Sequence, residues 1–202
     1  MQQSIKGFFF IFLSVSLLGL TPVIGKFAYR LGISVETLLF LRFAIASVLL
    51  FSYLIIRHQS FKIRQNQFRT IIVLGLLFCI QSVTYFTSIK YILSSLAVVL
   101  FYIYPIIVLL LTIFIDKQKL SLGILFPILL SLLGIIILVG LPTGSINYFG
   151  VLLTITSAFS FALYVIIGKR IVSELSTVVL TSWVTGCTSI FLLIVGTIKG
   201  SI

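Results

Sequence analysis

Arg42 and a set of hydroxyl, amide and phenol side chains interrupt otherwise apolar stretches, at spacings that keep each group on one helix face. Ser14, Thr21 and Gly25 follow +7 and +11; Gln81, Tyr85 and Ser88 follow +4 and +7; Ser94, Tyr102 and Pro105 follow +8 and +11; Thr181, Thr185 and Thr188 follow +4 and +7. Ser157, Ser160, Tyr164 and Gly168 make a further stripe. Groups of this kind hydrogen-bond and orient a polar solute. Bond cleavage or transfer would need an acid/base pair, a nucleophile or a metal set. The three acids, Glu36, Asp116 and Glu174, fall at the ends of apolar runs or between them, and no cluster of His, Cys and Asp exists. Cys79 and Cys187 read as small apolar filler and His58 as a solvated loop residue. The residue types therefore argue against an enzyme, call for no cofactor or metal, and point to binding.

Each motif also has a plainer reading. Ser, Thr and Gly pack membrane helices together, and hydroxyls bond their own backbone. Arg42 lies eight residues past Ser34, where a cation is costly and faces a cavity or partner, or else snorkels to the headgroups. Pro105 is a flexing point or a static kink.

The elements that must hold these residues are long and apolar. Hydrophobic residues make up 60% of the 202-residue chain and charged residues 8%, with a mean hydropathy of +1.34. Seven spans follow, at Gly7–Phe27, Ser34–Ile56, Phe68–Ser88, Ile92–Ile115, Leu120–Leu141, Tyr148–Ile167 and Leu175–Ile198. Each is long enough for a hydrocarbon core of roughly 30 Å. The first span is read as a retained helix, since no small-residue cleavage site follows it.

A net charge of +11 could suggest a nucleic-acid partner, but its distribution reports topology. With a cytoplasmic N-terminus, the inner segments hold Lys6, Arg57, Lys62, Arg64, Arg69, Lys117, Lys119, Lys169 and Arg170. The outer ones hold Lys26, Arg30, Lys90 and Lys199, which is the positive-inside bias. The partners implied are the lipid bilayer and a small-molecule substrate, with no nucleic acid, in a multi-pass protein of the plasma (cell) membrane.

Residues 7–56 and 150–199 repeat one design. At an offset of 143, Gly7 falls on Gly150, Ser14 on Ser157, Gly25-Lys26 on Gly168-Lys169, Val35 on Val178 and Leu49-Leu50 on Leu192-Leu193. Arg42 falls on Thr185. Five spans separate the two starts, so the second copy enters the membrane from the opposite side, as in inverted-repeat transporters. Leu141-Pro-Thr-Gly-Ser-Ile-Asn147 is the natural boundary between a first unit over 7–142 and the opening two helices of a second over 148–202. A full second copy would end at about residue 292 by this spacing.

The chain resembles the EamA-type transporters of the drug/metabolite transporter superfamily. The resemblance rests on Leu18-Gly-Leu-Thr-Pro-Val-Ile-Gly-Lys26, Leu41-Arg-Phe43, Tyr85-Phe-Thr-Ser-Ile-Lys-Tyr-Ile-Leu-Ser-Ser-Leu-Ala97, Tyr102-Ile-Tyr-Pro105 and Leu133-Gly-Ile-Ile-Ile-Leu-Val-Gly140. It implies an all-α membrane fold of ten helices in two inverted five-helix repeats, seven of them present here, around a central cavity. It also implies that Lys26, Arg42 and Pro105 match the family's lysine, arginine and proline positions. The family's glutamate closing the fourth helix is replaced here by Asp116.

The expected function is transport of small metabolites by alternating access, with amino acids or related carboxylate-bearing compounds as the substrate class. The competing expectation is a truncated, non-transporting membrane protein fragment. Candidate substrate-binding residues are Arg42, Lys26, Gln81, Tyr85, Ser94, Tyr102, Tyr164 and Thr185, with Pro105 as the helix kink. A seven-helix receptor is disfavoured, because the charge distribution sets the N-terminus inside and a receptor would leave the repeat unexplained. The topology predicts that impermeant thiol labelling from outside reaches a cysteine tag after Ile202 and misses one at Ser60; labelling at Ser60 reverses the orientation.

Overall fold

In a computed structural model, residues 2–116, 122–139, 147–172 and 174–201 are described. They form eight helical segments: α1 (Gln2–Arg30), α2 (Val35–Ile56), α3 (Gln65–Ser88), α4 (Ser94–Phe101), α5 (Tyr104–Asp116), α6 (Leu122–Val139), α7 (Tyr148–Val172) and α8 (Thr177–Ile198). No strand occurs among the described residues. Five stretches are long and apolar enough to cross a membrane: α2, α3, the α4–α5 unit over Ser94–Ile115, α7 and α8. The other two predicted spans, at 7–27 and 120–141, fall on α1 and α6. The predicted boundary at 141–146, and Lys117 and Lys119, lie outside the described residues.

Local chemistry fixes where the helices begin and break. Ser34 caps α2 by accepting from the Thr37 amide at 3.0 Å, and Ser176 does the same for α8 from the Val179 amide at 3.4 Å. Gln67 accepts from the Arg64 amide at 2.8 Å and donates to Glu174 at 3.0 Å, tying the start of α3 to the α7–α8 link. The span carrying Pro105 is interrupted. Pro105 has no N–H to offer the Phe101 carbonyl one turn back, and the chain tightens there, with Ile103 N bonding Leu100 O at 3.2 Å and Ile106 N bonding Ile103 O at 3.0 Å. Pro105 is thus the second residue of α5 rather than the middle of an unbroken helix.

The bundle is built on two antiparallel pairs, α2 with α8 and α3 with α7, joined by contacts between α3 and α8. Glu36 at the start of α2 meets Lys199 just past α8, while Ser47 further along donates to Ser182 O at 3.4 Å. Lipid tails give helices no hydrophobic reason to associate, so close backbone approach and interhelical hydrogen bonds must do it. Gly75 shows both: a Cβ there would stand 2.6 Å from Cys187 Cβ, and the Gly75 carbonyl accepts from Thr188 Oγ1 at 3.1 Å. On the other pair, Ser157 Oγ donates to Gln81 O at 2.9 Å. Leu39, Leu54, Ile71, Leu74 and Leu192 are fully buried around these contacts.

The periphery differs. α1 leaves Phe8, Phe12, Val23 and Phe27 exposed and meets α3 where Gly25 packs against the Phe86 ring. At the other end of the molecule Trp183 donates its indole N–H to Phe61 O at 3.0 Å and packs edge-on against Phe51 and Phe68. This pins the α2–α3 link to α8.

Because Gly75 has no room for a side chain, Gly75→Val is expected to destabilise the protein by about 1–3 kcal/mol through overpacking. Gly134→Ala, where an added Cβ meets nothing within 4 Å, should be neutral or better. Thermal unfolding in detergent of both variants checks this.

Candidate functional site

The tyrosines of three helices assemble into one chain of ring contacts. Tyr85 of α3 meets Phe101 of α4 edge-on at 5.3 Å. Phe101 lies 5.4 Å from both Tyr104 and Phe161, and Tyr104 meets Phe161 edge-on at 4.8 Å. Phe161 stacks on Tyr164 at 5.7 Å, Tyr164 lies 5.0 Å from Phe78, and Phe78 meets Phe43 at 5.4 Å. Tyr102 joins through Phe101 at 6.4 Å and Tyr104 at 6.3 Å. Centroid separations of this size are the favourable range for edge-on and offset ring pairs.

Helix geometry explains the assembly. Phe161 and Tyr164 are three apart on α7, and Phe78 and Tyr85 seven apart on α3, so each pair shares a face. Phe101 and Tyr104 are likewise three apart, on either side of the tightened backbone ahead of Pro105. Arg42 adjoins the far end of the chain, with its guanidinium carbon 5.5 Å from the Phe43 centroid. It is exposed on α2, one residue from the buried Phe43.

The structure thus brings Tyr85, Tyr102 and Tyr164 together and sets Arg42 at the end of the same chain. Gln81 lies one turn from Tyr85; its side-chain oxygen accepts from Ser82 Oγ at 3.0 Å, and its backbone carbonyl receives Ser157. Ser94 opens α4, and its buried hydroxyl has no partner among the described residues. Pro105 flanks Tyr104. Two candidates stand outside the ring chain. Lys26 is half-buried on α1 beside Gly25. Thr185 is buried and turns its proton back to Thr181 O at 2.8 Å and Ser182 O at 3.0 Å of its own helix. Phe101, Phe161 and Phe78 went unremarked in the sequence, and Tyr104 entered only within the Tyr102-Ile-Tyr-Pro105 motif; the readable signals were Tyr104 beside Pro105 and Phe161 one turn before Tyr164.

A second polar group closes one end of the bundle. Lys199 Nζ donates to Glu36 Oε1 at 2.7 Å, with the Glu36 side chain 10% exposed. Ser34 Oγ and Thr37 Oγ1 donate to Ser201 O at 3.1 and 2.6 Å. Lys90 Nζ lies 4.9 Å from the Tyr29 ring centroid, and the Tyr29 hydroxyl donates to Phe86 O at 3.0 Å. Gly150 packs under Tyr91 and Ile92, where a Cβ would stand 2.7 Å from Ile92 Cγ2.

Rings, phenols and one guanidinium can hold a solute with an apolar body and an anionic group, through ring faces, hydrogen bonds and charge. The family model described as the EamA-like transporter family matches residues 5–140. No curated protein and no solved structure matches the chain.

The unpartnered Ser94 hydroxyl gives a test. A buried hydroxyl without a partner costs about 1–3 kcal/mol, so Ser94→Ala is expected to hold or raise the unfolding temperature. Ser157→Ala, which removes the donor to Gln81 O, is expected to lower it by the equivalent of about 1 kcal/mol. Paired thermal melts read both.

Proposed function

Since the chain belongs to the EamA-like transporter family, we propose that it carries small metabolites bearing a carboxylate, such as amino acids, across the plasma membrane by alternating access. The single observation that carries the substrate class is the line of tyrosines ending at Arg42. Tyr85, Tyr102 and Tyr164 present ring faces and phenols to the body of the solute, Arg42 takes its carboxylate, and Gln81 and Ser94 supply amide and hydroxyl contacts. Lys26 and Thr185 are assigned supporting places on the same path. The break at Pro105 is the point where the α4–α5 unit flexes.

The architecture we infer has the N-terminus in the cytoplasm and seven spans. Residues 7–142 form a first five-helix unit, and 148–202 the first two helices of a second, inverted one within a ten-helix plan. Support comes from the offset of 143. It carries α2 onto α8 to within a residue at each end, and those two helices lie against each other in opposite directions. In this reading the Glu36–Lys199 pair joins related helices at the outer face and closes that face, so that opening outward requires breaking a hydrogen-bonded ion pair.

Saturable uptake of amino acids into liposomes containing the protein tests the proposal. Arg42→Ala is expected to cut uptake of carboxylate-bearing solutes by roughly tenfold or more, the worth of one charge-assisted hydrogen bond, with little loss of folded yield. If Arg42→Ala and Arg42→Gln both transport normally, Arg42 is structural and the substrate assignment fails.

A further inference from the structure

Away from the ring chain, at the end opposite Glu36 and Lys199, a cavity of about 360 Å³ opens between α5 and α7. Val108 and Thr112 of α5 line one wall, and Val165, Ile166, Lys169 and Arg170 of α7 the other. None of the tyrosines of the candidate site reaches it. The spacing gives the cavity a polarity. On α7, Val165 to Lys169 and Ile166 to Arg170 are each one turn, so two adjacent rows pass from a branched aliphatic side chain to a cation toward the helix end. On α5, Val108 to Thr112 makes the matching step from methyl groups to a hydroxyl. The result is an apolar floor under a basic, hydroxyl-bearing rim.

The cations at the rim are Lys169 and Arg170, in the last turn of α7. Glu174, the acid that follows α7, is bound to Gln67 of α3. Near the lining residues in sequence, Leu110 and Phe114 of α5 and Val172 of α7 are exposed apolar side chains.

We propose that this cavity seats an anionic glycerophospholipid of the adjoining leaflet. Its phosphate would lie among Lys169, Arg170 and the Thr112 hydroxyl, with an acyl chain along Val108, Val165 and Ile166. A soluble anion would use the rim and waste the floor; a zwitterionic lipid would use the floor but not the charge. Basic pockets between membrane helices at the headgroup level select anionic lipids on this principle. The inference rests on membrane insertion alone and is independent of what the protein transports.

Native mass spectrometry of the full chain in neutral detergent, titrated with phosphatidylglycerol or phosphatidylcholine, tests it. Wild-type protein should bind phosphatidylglycerol roughly tenfold more tightly, since each cation near a phosphate contributes several-fold. K169Q/R170Q should lose that preference, while R57Q/K62Q, with the same change in net charge, should keep it. V108F fills the floor without altering charge and should also weaken binding, which preserves the test if the double variant folds poorly. Millimolar inorganic phosphate should not displace the lipid. Equal affinity for the two lipids, a preference retained in K169Q/R170Q, undiminished binding in V108F, or displacement by inorganic phosphate would each overturn the proposal, the last in favour of a soluble-anion site.

Discussion

The contact between α3 and α8 at Gly75 governs the rest of the structure. Two helices in lipid gain nothing from burying leucine against leucine, because hydrocarbon surrounds them in either state. What holds them is the fit made possible by a missing side chain, together with the Thr188 hydroxyl reaching the Gly75 carbonyl across the gap. α3 then carries α7 through the Ser157–Gln81 bond, and α8 carries α2. Every ring in the candidate site hangs from one of these helices or from the α4–α5 unit packed on α7.

This arrangement divides the polar side chains by chemistry. Hydroxyls on short stems are well suited to reaching a neighbouring backbone, and Ser157, Thr188 and Ser47 are used that way, while Thr185 satisfies itself within its own helix. Tyr85, Tyr102, Tyr104 and Tyr164 instead meet other rings around the α4–α5 break, whereas the Tyr29 hydroxyl reaches across to Phe86 O as the shorter ones reach their neighbours.

Much of the fold was legible in the sequence, because a bilayer leaves few options for long apolar runs, although the caps at Ser34 and Ser176 that start α2 and α8 came only with the structure. The site was legible only in part. Periodicity places Tyr85, Tyr164 and Thr185 on polar faces, but a single helix face cannot say whether a hydroxyl turns outward or back to its own carbonyl, as that of Thr185 does. Nor could it reveal Phe161, whose importance comes from touching Phe101, Tyr104 and Tyr164 on three elements at once. The Glu36–Lys199 pair was likewise hidden, since its members are 163 residues apart.

Trp183 is the chain's single tryptophan, and its surroundings make the protein its own optical probe. The indole N–H is held by a carbonyl of the α2–α3 link, and its ring is walled by phenylalanines from α2 and α3. Emission from an indole so placed is sensitive to any change in its contacts with that link. Ultraviolet fluorescence therefore follows the Lys169 end of the bundle with no label attached, against a background free of any other indole.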